Sequence, residues 1–209
     1  MNKARVEAFT DAIIAIILTI MILEFKVPSS TKLSAIIPEL PFVLSYAIGY
    51  LFIGTAWYNH HYMFSKTKVV TQRVFWANIF WMFTTSFLPV ATAWIGEHIN
   101  SRGPQIFYAI IYTLWSFAYW LLSYYLVKDN QSTGHPEAAK SIASMKIYRY
   151  IGSWKYFIGH FGVLILVLIF MPALQLALVL AQILLIGSRF NQDSDKLVDC
   201  KFNPNFLTN

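Results

Sequence analysis

The chain reads as an all-α integral membrane protein with six membrane-spanning helices and both termini on the cytoplasmic side, and three observations lead there. Of its 209 residues 57% are apolar and 12% charged, against roughly 45–50% and 25% in an ordinary soluble domain, which excludes a soluble globular protein. Uncharged stretches long enough to cross a hydrocarbon layer about 30 Å thick recur along the sequence. The cations fall into alternate connecting segments, as orientation in a membrane requires. Sixteen Lys and Arg against ten Asp and Glu are therefore a topology signal. No basic stripe interleaved with stacking aromatics points to nucleic acid, and no such partner is expected.

Uncharged windows run from Leu40 to Ser65, Val74 to Gly96, Gly103 to Val127 and Tyr156 to Ser188; a shorter one, Ala12 to Leu23, reaches back to about Ala8 if Asp11 is tolerated. They give expected helices over about 5–25, 41–63, 74–96 and 104–127. The last window has 33 residues and would be about 50 Å long as a single helix, far more than a bilayer needs. It divides into two spans, 153–171 and 173–190, at Met171-Pro172-Ala173, where proline breaks the hydrogen-bond ladder. Trp154, Tyr156 and Phe190 extend the halves to the interface. Pro89 reads as a kink in the third helix. Lys128 to Ser153 is the longest loop, in which Glu137 to Tyr150 has the makings of a short interfacial helix. Residues 1–190 thus form one six-helix membrane domain, followed by a polar cytoplasmic tail, 191–209.

The charges test this count. With both termini inside, the inner segments hold Lys3 and Arg5, then Lys66, Lys68 and Arg73, then Lys128, Lys140, Lys146, Arg149 and Lys155, then Arg189, Lys196 and Lys201. Thirteen cations lie inside, and only Lys26, Lys32 and Arg102 outside. Five spans would reduce the asymmetry to ten against six, so six is preferred. The sequon at Asn130-Gln131-Ser132 then falls on the inner side and carries no glycan, and no cleavage chemistry of a signal peptide follows the first apolar stretch. A single cysteine, Cys200, cannot form an internal disulfide. No nucleophile elbow, His-Glu-x-x-His motif or pair of intramembrane aspartates is present, so no enzyme is expected. No cofactor or resident metal is expected either.

The first helix places Arg5, Glu7 and Asp11 at and inside the membrane edge. At about 100° per residue its side chains sort into faces. One stripe is Phe9, Ile13, Ile16, Ile20 and Leu23, headed by Arg5; a second holds the small residues Ala8, Ala12, Ala15 and Thr19, of the kind that let helices approach closely in lipid. Asp11 lies nearly opposite the isoleucines. A carboxylate facing hydrocarbon costs about 2.5–3.5 kcal/mol, so Asp11 should face other helices. Donors stand at the same depth on the second helix: Trp57, Asn59, His60 and His61. Alone, this group reads as an interfacial aromatic and polar belt. Beside Asp11, one or two of its members read as that carboxylate's partners, within or between subunits. The two histidines diverge by about 100° and cannot share a metal on a regular helix.

Arg5-Val6-Glu7-Ala8-Phe9-Thr10-Asp11, followed by Ala-Ile-Ile-Ala-Ile-Ile-Leu-Thr, resembles the Arg-x-x-x-Phe-Ser-Asp signature of the family of transmembrane protein 175, the endolysosomal potassium channel and its prokaryotic relatives. Thr10 departs from the usual serine, keeping the hydroxyl and adding a methyl group. The resemblance implies a potassium-permeable channel in which six-helix units surround a central pore. One unit without an internal repeat implies the prokaryotic form, a homotetramer spanning the lipid bilayer of the cell (inner) membrane. It further implies a pore lined by the first helix, with an isoleucine ring at the narrow point that maps to Ile16. Ile20 and Leu23 follow on the same stripe, and Thr19 at its edge could offer a hydroxyl to a passing ion. Arg5, Phe9, Thr10 and Asp11 with Trp57, Asn59, His60 and His61 then form a scaffold around the constriction.

By itself an isoleucine stripe reads as lipid-facing or packing; beside the motif it reads as the pore wall. No Thr-Val-Gly-Tyr-Gly loop exists to make a carbonyl filter. Selectivity would come from partial dehydration at hydrophobic rings, which favours potassium modestly over sodium and holds potassium only transiently. The alternative is a proton-coupled cation transporter or proton-leak channel using Asp11 and His60 or His61 as a relay. The mid-span of the first helix is Ile and Ala, which gives a coupled carrier little to work with. Gln175 and Gln182, the polar residues inside the last helix, read as groups that join helices.

Overall fold

The computed structural model describes residues 2–190; the polar tail 191–209, with Lys196, Cys200 and Lys201, lies outside the described residues. All regular structure in them is helical. Helix α1 (Lys3–Ile20) opens on Asn2, whose side chain accepts from the Arg5 amide, and closes in a 3-10 turn at Met21–Glu24. A 3-10 stretch, Leu33–Glu39, feeds α2 (Leu40–Lys66). Then follow α3 (Gln72–Thr85), α4 (Leu88–Glu97), α5 (Arg102–Ser132), α6 (Pro136–Ala143), α7 (Lys146–Ile151), α8 (Trp154–Phe170) and α9 (Gln175–Phe190). Four segments, Lys3–Glu24, Leu33–Lys66, Gln72–Glu97 and Arg102–Ser132, are long and apolar enough to cross a membrane. The final apolar window is cut by a 3-10 turn, Pro172–Leu174, into helices of 17 and 16 residues.

Two elements differ from their expected form. The third span is not one helix kinked at Pro89 but two helices that meet at Ser86-Phe87. Pro89 has no N–H for the Thr85 carbonyl and its ring crowds that carbonyl, so the chain breaks before it, and proline then sits in the first turn of α4, where its missing donor costs nothing. The hydroxyls of Thr84 and Thr85 donate back to the Trp81 carbonyl at 2.8 and 2.7 Å, and that of Ser86 donates to Phe83 O at 2.7 Å, which weakens the ladder just ahead of the break. The helix that holds the fourth expected span continues past 127. Helix α5 carries Lys128, Asp129 and Asn130 onward and stops at Gly134, whose φ of +83° is the left-handed conformation that glycine accepts without strain. The segment from Lys128 to Ser153, expected as a loop with a short interfacial helix, is thus helical at its start and holds α6 and α7 besides.

Helix α5 is the hub of the subunit, packed against α3, α4, α6, α7 and α8. Trp81, Trp115, Tyr119, Phe52 and Tyr112 interlock at its centre, with Phe52 and Trp115 ring centroids 4.6 Å apart. Helices α2 and α4 meet through small residues. A Cβ at Gly96 would collide with Ser45 and stand 2.8 Å from the Phe42 Cα, and one at Gly49 would reach 2.8 Å from Met21 Cε. Ser45 uses that proximity to donate to the carbonyls of Phe42 (2.8 Å) and Thr92 (3.1 Å). Helix α1 lies against α2, α3 and α4 through Val6, Thr10, Ile14, Ile17 and Met21.

Candidate functional site

Helix α1 has one buried stripe and leaves the rest of its surface open. Ile14, Ile17 and Met21 are covered by the subunit, whereas Ile16 is 58%, Ile20 40% and Leu23 78% exposed. Thr19 is exposed beside them, and its hydroxyl donates to the Ile16 carbonyl at 2.9 Å, so any further ligand of that oxygen would use its lone pairs. Phe9, Ala8, Ala12 and Ala15 are exposed as well. The small-residue stripe and, of the isoleucine stripe, Phe9, Ile16, Ile20 and Leu23 therefore face away from the core of their own subunit, whereas Ile13 is half-buried and packs against that core. The buried stripe, spaced at three and four residues, is the one that the sequence reading did not single out.

Adjacent signature residues on α1 turn to opposite sides. Thr10 points inward and is wholly buried; its Oγ1 donates to Val6 O at 2.9 Å and accepts from Asn78 Nδ2 at 2.7 Å. Asn78 Oδ1 stands 2.8 Å from His60 Nε2, a pairing that calls for a proton on Nε2. The result is a directional chain from the His60 N–H through the Asn78 amide and the Thr10 hydroxyl to a backbone carbonyl, linking α2, α3 and α1 with all three side chains buried. His60 is held flat between Phe64 and Trp81, at 4.3 and 4.8 Å between centroids.

Asp11 points outward. Its Oδ1 accepts from Trp57 Nε1 at 2.7 Å, and Trp57 stacks on His61 at 5.8 Å. Asp11's bonded partner is thus the indole. His60 serves Asn78, His61 lies on the far side of the indole, and Asn59 donates to the Thr55 carbonyl at 2.9 Å. Of the two histidines offered for a relay with Asp11, His60 is buried in the core, whereas His61 is exposed like Asp11 and stacks on the indole that Asp11 accepts from. Arg5 is exposed at the inner end of α1.

Three supporting residues escaped the sequence reading. Asn78 sits mid-helix in an apolar segment, where an asparagine among aromatics is itself the signal of a buried polar contact. Asp129 and Asn130, read as loop residues, are fully buried. Asp129 takes the Thr71 hydroxyl and the Arg73 guanidinium, the latter at 3.0 Å. Asn130 Oδ1 accepts from the amides of Lys68 and Val69 at 2.9 and 3.3 Å. The sequon asparagine is therefore a clamp on the turn between α2 and α3. At the other end of the helices Lys26 pairs with Glu97 at 2.7 Å, and the hydrogen bond and charge of Glu97 hold the lysine above its ordinary pKa. Deeper, Gln182 accepts from Tyr112 and donates to His160 Nδ1, both at 2.7 Å, joining α9 to α5 and α8. Among the described residues no group of three His, Cys, Asp or Glu is placed to hold a metal.

A bundle of membrane-length helices with polar chains sealed between them, and with the open faces of its first helix lined by aliphatic and small residues, defines a polytopic helical membrane protein. A sequence model of the family described as endosomal/lysosomal potassium channel TMEM175 matches residues 5–89. A protein of Chryseobacterium sp. (strain P1-3) named as a potassium channel is 35% identical over 159 residues, covering 76% of this chain and 81% of its own length. Another so named, from Streptomyces collinus, is 31% identical over 119 residues, 54% of this chain and 58% of its own length. The fold matches the crystal structure of a lysosomal potassium-selective channel TMEM175 homologue from Chamaesiphon minutus with a TM-score of 0.72 at 23% identity, over 90% of this chain and 98% of that one. The chain belongs to the TMEM175 family, as one of its prokaryotic members.

Proposed function

We propose that four copies of this chain form a potassium-permeable cation channel in the cell membrane, with α1 of each copy lining a central pore. Residues 1–190 supply six spans per subunit, both termini are cytoplasmic, and 191–209 is a cytoplasmic tail. Ile16, Ile20 and Leu23 form the constriction and Thr19 borders it. The observation that carries the reading is the exposure of this aliphatic stripe on a helix whose other side is packed into the subunit. A second argument concerns Asp11. Its carboxylate lies at the subunit surface with one hydrogen bond, and lipid contact there would cost about 2.5–3.5 kcal/mol. A neighbouring subunit removes that cost, so Asp11 and Trp57 belong to an assembly face, with Arg5 and Phe9 at its inner edge. The buried chain of Thr10, Asn78 and His60, with Asn59 and His61 beside it, keeps α1 in register behind the constriction.

Passage through aliphatic rings requires an ion to shed part of its hydration. Potassium, the more weakly hydrated, loses less than sodium, and a modest preference for potassium follows without a carbonyl filter. The names carried by the bacterial relatives point the same way. The test is flux into vesicles holding the purified protein, with potassium, sodium and proton gradients imposed in turn. Ile16→Ser raises cation flux and lowers potassium over sodium discrimination; flux and selectivity equal to wild type would remove Ile16 from the pore. A cross-linking ladder ending at four subunits is expected on the same sample.

A further inference from the structure

A second site lies at the inner end of the helices, away from the pore. The end of α2, the turn that follows it and the start of α6 enclose a groove of about 450 Å³, within the size range of small-ligand sites. Ser65, Lys66 and Lys68 line one wall; His135, Glu137 and Ser141 line the other. Lys66 Nζ lies 4.5 Å above the Tyr62 ring, and the backbone that carries Lys68 is pinned by the buried Asn130. Lys3, from the first turn of α1, reaches the Ser65 carbonyl at 3.4 Å and adds a third ammonium at the same wall. Of the residues lining it, Lys66 and Lys68 carry ammonium groups and Glu137 is the one carboxylate, with Lys3 held beside that wall by its bond to the Ser65 carbonyl, so the groove is electropositive.

We infer that this groove binds the phosphate headgroup of an anionic phospholipid. Three features select this ligand over other anions. Lys66 is the last residue of a span, so the groove opens at the level where lipid phosphates lie. The Ser141 hydroxyl lines the same groove and suits a phosphate diester, while the Ser65 hydroxyl, which donates to the Tyr62 carbonyl at 2.7 Å, is left to accept from a glycerol hydroxyl. The aromatic ring under Lys66 places the ammonium at the boundary between acyl chains and headgroups. Because Lys3 belongs to α1 and Lys66 to α2, a bound headgroup ties together the inner ends of those two helices. The inference rests on the proposed orientation only in assigning the groove to the cytoplasmic leaflet.

Binding is measured without ion flux, so that it stands or falls apart from the channel reading. Full-length protein in neutral detergent is titrated with an acyl-labelled phosphatidylglycerol and challenged with unlabelled phosphatidylglycerol, phosphatidylcholine and inorganic phosphate. Phosphatidylglycerol should compete, phosphatidylcholine should not, and inorganic phosphate should fail at the same concentrations. A lysine near an anionic surface contributes about 1 kcal/mol, or about fivefold in affinity. Lys66→Gln with Lys68→Gln should therefore weaken binding about 25-fold. The paired arginine variants should keep affinity within about threefold, and Lys140→Gln, which removes one charge from the exposed side of α6, should change it less than about twofold, against about fivefold for Lys66→Gln alone. Equal competition by phosphatidylcholine, equal loss in Lys140→Gln, or displacement by inorganic phosphate at matching concentration would each overturn the assignment.

Discussion

Asn78→Ala tests how α1 is held. The wild-type side chain is fully buried and makes two contacts, 2.7 Å to Thr10 Oγ1 and 2.8 Å to His60 Nε2. Alanine removes both. It strands the His60 N–H between the Phe64 and Trp81 rings, where no other acceptor faces it, and leaves Thr10 with its bond to Val6 O alone. A buried donor without a partner costs about 1–3 kcal/mol, while polar contacts between membrane helices average about 0.6 and reach about 1.7 kcal/mol. The lower scale applies where the loosened state finds other partners, and the higher where it does not. They bracket a loss of about 1–3 kcal/mol, which for a protein of this size lowers the melting temperature by roughly 2–12 °C. The assay is thermal unfolding of the purified protein in detergent, followed by tryptophan fluorescence and size exclusion, for Asn78→Ala, Thr10→Val and the double variant. If the chain acts as a unit, the double variant is no worse than Asn78→Ala by more than about 0.5 kcal/mol. A shift below about 2 °C in Asn78→Ala, or full additivity with Thr10→Val, refutes the argument.

Two further perturbations probe the frame around that chain. Gly96→Ala drives a methyl group into Ser45 and to 2.8 Å from the Phe42 backbone, so α2 and α4 must separate; a loss of about 1–3 kcal/mol should appear as a lower melting temperature, whereas the open Gly103→Ala should have little effect. Asp129→Ala releases Thr71 and Arg73 from a fully buried carboxylate, so the turn between α2 and α3 should open to limited proteolysis near Lys68, and an unchanged digestion pattern would show that Asn130 holds the turn unaided.

Much of this molecule was legible in one dimension. The membrane helices follow from apolar length, and Met171-Pro172 marked the division of the last window because proline cannot continue a ladder. The same chemistry at Pro89 was read one step too far along: the sequence shows the proline, but the break falls at the residues whose carbonyl it obstructs. The exposure of Ile16, Ile20 and Leu23 on one line was readable from a period of 3.6 residues. The partners of the signature were only half readable. Trp57, Asn59, His60 and His61 were placed at the right depth, yet which of them meets Asp11 depends on how α1 and α2 are rotated about their axes, and periodicity fixes faces within a helix but not between helices.

What the sequence alone determined is whatever depends on local length, charge and covalent constraint: the helical class, the position of most breaks, and the signature that marks the family. Tertiary structure decided the pairing of groups distant along the chain. Asn78 reaches Thr10 across 68 positions and Asn130 reaches Lys68 across 62, and neither contact has a local signal. A buried amide or carboxylate takes whichever donor the packing brings within about 3 Å, and packing is settled by the shapes of whole helices, Gly49 and Gly96 among them, acting together.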